Sequence, residues 1–106
     1  MKLKHIVIWK LKDNAGEPDQ AKARREAALR IKAELEGLKE KIPEIRMLEV
    51  GINIDSSAAA YEVVLNSEFD DELGLASYQS HPEHVKAGEF INSVKENRIA
   101  VDYWVD

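Results

Sequence analysis

The sequence predicts a small α+β domain with one four-stranded antiparallel sheet. Three observations predict it. Four stretches rich in β-branched and aromatic residues are separated by two helical regions. One helical region carries a single apolar stripe, and the other is interrupted by His81-Pro82. The connections are short, with no repeat, linker or low-complexity tract among the 106 residues, which is the size of one domain.

Leu3 to Leu11 (LKHIVIWKL) reads as the first strand and runs into the loop Asp13-Asn14-Ala15-Gly16. Pro18 suits the first turn of a long helix reaching Lys41. Along it Ala21, Ala28, Ile31, Leu35, Leu38 and Ile42 recur at spacings of three, four and seven, one stripe of a helix, with Glu26 and Arg30 paired on the outer face. Pro43 ends it. Ile45 to Ile52 reads as the second strand, residues 53–59 around Asp55-Ser56-Ser57 as a loop, and Tyr61 to Phe69 as the third strand. Asp70 is placed to cap a short helix, Asp71 to Ser80. Pro82 opens another helix to about Asn97, with Val85, Ile91 and Val94 facing inward, and Arg98 to Val105 forms the last strand. The order β-α-β-β-α-β is the ferredoxin-like pattern.

Composition narrows the function. Fifteen basic against twenty acidic residues give a net charge of −5, which argues against a nucleic-acid partner. No cysteine is present, so disulfides and a thiol nucleophile are excluded. The start of the chain shows no signal-peptide pattern and no stretch approaches ~20 apolar residues, so a cytoplasmic protein without a membrane partner is expected.

Two strands are apolar on both faces. Val7, Trp9 and Leu11 oppose Ile6 and Ile8; Ile99, Val101, Tyr103 and Val105 oppose Ala100 and Trp104. Helices on one side of a sheet leave its other face bare, an apolar patch of several hundred Å². A homodimer packing sheet on sheet is the expected remedy, worth about 25 cal/mol per Å² before association costs.

His5 in KHIVIWKLK, the segment 48–53 (LEVGIN), the run 61–65 (YEVVL) leading to Phe69, Tyr78-Gln79-Ser80-His81-Pro82-Glu83-His84-Val85 and the terminal Val101-Asp102-Tyr103 together resemble the stress-responsive dimeric α/β-barrel (Dabb) family. The likeness spans essentially the whole chain, and the Y-x-x-H-P-x-H stretch is its most specific part. It implies two ferredoxin-like protomers whose sheets close into one dimeric α/β barrel with the helices outside. The family includes the plant olivetolic acid cyclase, which closes a tetraketide thioester by an aldol condensation without metal or cofactor. By position Tyr78 and His84 match the tyrosine and histidine that carry that chemistry, and His5 matches a histidine lining the same cavity. Trp9 stands where that enzyme has a smaller aliphatic side chain. Other members have no settled reaction, so the resemblance carries no activity by itself.

Aldol chemistry needs a base beside a carbonyl and a donor for the developing enolate oxygen. His84 suits the first role, Tyr78 the second, and His5 supports them. The strand face shared by His5, Val7 and Trp9 looks toward the same space, and with Leu65, His81 and Asp102 these are the expected ligand-contacting residues. Asp102, on the strand pairing with the first, is placed to hydrogen-bond His5. Duller readings stand beside these: His81 capping a helix, His84 and His5 satisfied structurally, Tyr78 packing in the core, Trp9 and Trp104 filling the space. His81 and His84 with Glu83 and Glu89 fall short of a metal set, and no cofactor is expected. Two functions follow: a stress-associated dimeric barrel without catalysis, binding at most a small apolar ligand, or a cofactor-independent lyase or cyclase acting on a small carbonyl compound.

Overall fold

The structure, a computed structural model, describes residues 1–14, 16–55, 57 and 59–106. Its elements are β1 (Lys2–Leu11), α1 (Gln20–Glu36) continuing as a 3-10 turn (Gly37–Glu40), β2 (Met47–Ile52), β3 (Val63–Phe69), α2 (Glu72–Ser80), α3 (Pro82–Val94) and β4 (Lys95–Val105). The sheet order is β2-β3-β1-β4, every pairing antiparallel. This is the ferredoxin-like arrangement the pattern predicts. Ala15, Ser56 and Ala58, in the two predicted loops, lie outside the described residues.

The helices cover one face of the sheet. On α1, Ala28, Ile31 and Leu35 are buried, and Leu38 and Ile42 extend the stripe beyond it. The predicted stripe is correct from Ala28 on. Ala21 is exposed, and Asp19, not Pro18, sets the start of the helix: its carboxylate accepts the Lys22 N–H at 3.0 Å. Arg30 pairs with Glu34 rather than Glu26, at 2.9 Å, and its guanidinium lies over the Phe90 ring at 3.8 Å, joining α1 to α3.

At the end of α1, Lys32 Nζ donates to the Val50 carbonyl at 2.5 Å and the Val50 N–H donates to Glu36 Oε2 at 3.2 Å. Both outward backbone groups of Val50 on edge strand β2 are thereby occupied, which blunts that edge against foreign strands.

Two further expectations need correction. Asp71, not Asp70, caps α2, accepting the Gly74 N–H at 2.8 Å. Asp70 instead accepts from Lys2 Nζ at 2.9 Å and from Arg46 Nε and Nη2 at 3.0 and 2.9 Å, fastening the starts of β1 and β2 to the end of β3. The Arg46 and Lys2 cations hold the Asp70 carboxyl well below the usual carboxylate range. On α3, Val85 is 50% exposed; Ala87 and Ile91 are buried, with Val94 partly so, because the inward face begins one turn later than the first valine suggests. The helix yields to β4 at Lys95, three residues before the expected strand start, where the backbone turns extended.

β4 behaves unlike its neighbours. β1 and β3 alternate strictly between buried and half-buried positions, whereas β4 is exposed along almost its whole length. α1 packs on β2 and α3, and α2 packs on β3 and α3, so the helical layer stops short of β4. On the face away from the helices Ile99, Val101 and Tyr103 stay 46%, 53% and 44% exposed, continuing the apolar row of Ile6, Ile8 and Val64. Among the described residues no helix is long and apolar enough to cross a membrane.

The burial pattern predicts unequal costs along the helices. Ile31→Ala removes a fully buried side chain beneath α1 and should cost about 2–5 kcal/mol, while Val85→Ala should stay within about 0.5 kcal/mol. Urea unfolding at a fixed protein concentration measures both.

Candidate functional site

The site is built on the break between α2 and α3. Proline disfavours helical backbone in the residue before it, so His81 is extended (φ −63°, ψ 135°) and α2 ends there. Pro82 then starts α3, its missing N–H costing nothing at the first helical position. His81 Nδ1 accepts the Glu83 N–H at 3.1 Å and caps α3, so that nitrogen is committed to the backbone. The turn sets the last turn of α2 against the first turn of α3. As a result the rings of Tyr78 and His84 lie 4.5 Å apart between centroids.

His84 is half-buried. A carbonyl can only accept, so the Nδ1–H of His84 donates to the Gln79 carbonyl, 3.1 Å away, one of the groups that the end of α2 leaves without a helical partner. The neutral imidazole then carries its lone pair on Nε2. Burial, partly offset by the Gln79 carbonyl, pushes the His84 pKa below 6.5, with His5, Arg98 and His81 adding small contributions the same way. The side chain is therefore an uncharged base at neutral pH.

Tyr78 is fully buried, against Phe69 (5.0 Å between centroids) and His5 (6.2 Å). Its hydroxyl has no hydrogen-bond partner among the described residues. Burial drives its pKa far above the usual tyrosine value, against which the Arg98 cation works, so the group stays a donor. A buried hydroxyl without a partner costs about 1–3 kcal/mol.

His5 is buried on β1 opposite Ser67, whose hydroxyl donates to the His5 carbonyl at 2.8 Å. Register pairs His5 with Asp102 on β4, and its Nδ1 meets the Asp102 carboxylate at 2.5 Å, the contact expected from the strand order. The carboxylate accepts, so His5 Nδ1 carries the donating hydrogen. Val7 and Leu65 face each other across β1 and β3, fully buried behind His5. The two tryptophans do not share one space. Trp9 pairs with Arg98 and is buried in the core, while Trp104 pairs with Leu3 and is 43% exposed; six residues of β1, about 20 Å, separate the two rungs.

His5, Tyr78, His84 and Asp102 thus form one cluster, with His81 holding its backbone. Sequence reading passed over Arg98, which stands on the same inward row of β4 as Asp102. Its signal was present: the inward row of the last strand reads Arg98, Ala100, Asp102, Trp104, with two charges on a face next to core. A groove of about 1090 Å³ opens elsewhere, between the start of α1 and the β2–β3 connection; it is lined by charges of both signs, including Lys22, Arg25 and Glu62, and by none of the histidines. Among the described residues no three histidine, aspartate or glutamate side chains converge as metal ligands.

Known proteins match this frame. A protein of Bacteroides fragilis, described as dimeric, ferredoxin-like and of unknown function, superposes with a TM-score of 0.86 at 36% identity, over 98% of this chain and 96% of its own. An uncharacterized protein of Streptomyces coelicolor is 30% identical over 85 residues, 77% of this chain and 78% of that protein. The hydroxynitrile lyase of Passiflora edulis shares the fold at a TM-score of 0.73 and 16% identity, over 99% of this chain and 94% of its own. Residues 3–105 match the stress responsive A/B barrel domain throughout, and the chain belongs to that family, Dabb.

Proposed function

We propose that the chain works as a homodimer whose protomers each bind a small carbonyl compound at Tyr78 and His84 and make or break a carbon–carbon bond next to it without a cofactor. One observation carries this reading: a fully buried tyrosine hydroxyl with no hydrogen-bond partner among the described residues, beside a histidine whose Nε2 is left as a neutral base. Proteins rarely leave such a donor unmet. An oxygen of a bound molecule supplies the missing acceptor.

In the cleaving direction, His84 Nε2 takes the hydroxyl proton of a β-hydroxy carbonyl compound or hydroxynitrile. The oxygen's electron pair forms the C=O bond, the carbon–carbon bond breaks, and the leaving carbon takes the proton back from His84. Tyr78 donates to the oxygen throughout, and His5, steadied by Asp102, flanks the reacting atoms. Val7, Trp9 and Leu65 are its apolar floor, and His81 its rim. The hydroxynitrile lyase of Passiflora edulis, alike in fold, catalyses chemistry of this class. The separation of Trp9 from Trp104 favours this reading over a filled, non-catalytic barrel.

The dimer follows from the bare outer sheet face and from the dimeric Bacteroides fragilis relative. Sedimentation should give a species of twice 12.0 kDa, and Val101→Glu, placing a charge in the exposed apolar row, should halve it. A wild-type monomer at micromolar concentration would refute the assembly.

Incubation with a panel of β-hydroxy ketones and hydroxynitriles should release the carbonyl product. His84→Ala should slow release about 10²–10⁴-fold and Tyr78→Phe about 10²–10³-fold. Tyr78→Phe should nevertheless leave the protein as stable or about 1 kcal/mol more stable, since it deletes an unpaired hydroxyl. Loss of stability in Tyr78→Phe, or no release from any compound, would count against the site.

The base must be uncharged, and His84 loses its proton below pH 6.5, so kcat/KM should rise with pH to a midpoint under 6.5 and then stay level. Tyr78 adds no alkaline limb up to pH 10, because its ionisation is displaced upward from 10.0. An acid limb centred above 6.5 would contradict His84 as the base.

A further inference from the structure

The outer sheet face is laid out in rungs that cross all four strands. From β2 to β4 one rung runs Gly51, Val64, Ile8, Ile99; the next runs Glu49, Asn66, Ile6, Val101; the next runs Met47, Glu68, Lys4, Tyr103. The two edges differ in relief. β4 carries the exposed apolar side chains Ile99, Val101 and Tyr103. β2 has no side chain at Gly51, and a mostly apolar hollow of about 300 Å³ opens there, with Ile8, Tyr61 and Val64 on its walls. The charges sit on the two inner strands toward one end: Lys4 Nζ lies 3.2 Å from Glu68 Oε1 and donates to Asn66 Oδ1 at 3.0 Å.

We propose that two copies pair about a twofold axis lying along the strands, between β1 and β3, so that Ile99 of each copy fills the hollow at Gly51 of the other. This rests on the homodimer proposed above and adds its register. Stacked sheets keep their strands nearly aligned, and a self-complementary pairing of two identical faces then has two choices of axis, along the strands or across them. The axis along the strands keeps every rung at its own height and sets β1 over β3 and β4 over β2. Ile99 then meets Gly51, Ile8 meets Val64, Tyr103 meets Met47, and Lys4 meets Glu68. Apolar groups lie on apolar groups, and the one charge pair meets its opposite. An axis across the strands, through the central rung of Ile6, reverses the rungs instead. It sets Lys4 over Ile8 and Glu68 over Val64, taking charges out of water against aliphatic side chains, and stacks β4 on β4 with Ile99 against Tyr103. Matching of charge across an interface selects register in this way even where it adds little affinity.

The sequence has no cysteine, so engineered thiols report without background. Glu49→Cys and Val101→Cys, on the two edges of the same rung, are made in separate chains, and each variant is first checked by sedimentation for a species of twice 12.0 kDa. Within one copy the two positions stand three strand spacings apart, about 14 Å. The variants are then refolded together and treated with a short bis-maleimide, whose reach matches the roughly 10 Å between stacked sheets. The mixture should give at least about tenfold more linked dimer on a denaturing gel than either variant alone, because only unlike chains bring the two thiols within the roughly 10 Å reach. In a wild-type dimer mixed from labelled and unlabelled chains, the Ile99 methyls should show contacts with Gly51 of the second copy. If each variant links to itself and the mixture adds nothing, the axis runs across the strands; if nothing links and Ile99 shows no contact with Gly51, the outer faces meet in another register. Either result overturns this pairing and leaves the homodimer standing. A wild-type monomer in the same sedimentation run removes both.

Discussion

The structure depends on a shortage of cover. Three helices lie on one face of a four-stranded sheet and reach only across β2, β3 and β1. β1 and β3 therefore alternate cleanly between core and outside, while β4 hangs beyond the last helix with apolar residues on both sides. Each face of that overhang has its own consequence. The outer one extends the row of Ile6 and Ile8 with Ile99, Val101 and Tyr103, which no part of the same chain can shield. The inner one sets Asp102 against His5 instead of beneath a helix. The opposite edge is handled differently: Lys32 and Glu36 occupy both outward backbone groups of Val50, so β2 is closed where β4 is left available.

A second constraint turns this frame into a site. Had α2 and α3 been one helix, Tyr78 and His84, six residues apart, would point about 120° away from the direction of contact. Pro82 forbids that. It forces His81 out of helical backbone, His81 then caps the new helix, and the carbonyl of Gln79, left over at the old helix end, fixes the tautomer of His84. A local rule about the residue before proline thus decides which nitrogen of a catalytic candidate is basic.

How much of this the sequence reveals depends on whether the signal is local. The stripe from Ala28 to Ile42 is legible because helical periodicity is set by neighbours three and four apart, and the strands because they alternate. Ends are less legible. Asp70 and Asp71 are equally good caps by type, and only the reach of Arg46 and Lys2 to Asp70 decides between them. Val85 and Ala21 look apolar enough to face the core, but both are exposed in the first turns of their helices. The Tyr78–His84 pairing is legible because the proline break lies between them. The separation of the tryptophans is not, since it follows from the residue-by-residue register of β1 on β4, a pairing across some 90 residues.

The energetics of the cluster argue for chemistry rather than packing. A tyrosine kept only to fill space would lose nothing as phenylalanine, whereas this one carries a hydroxyl with no hydrogen-bond partner among the described residues. The same burial that raises Tyr78 lowers His84, because desolvation disfavours whichever form is charged. Two neighbouring groups are driven in opposite directions by one environment, the tyrosine toward its protonated form and the histidine toward its neutral form. A pair divided in this way matches the donor and the base of the proposed reaction.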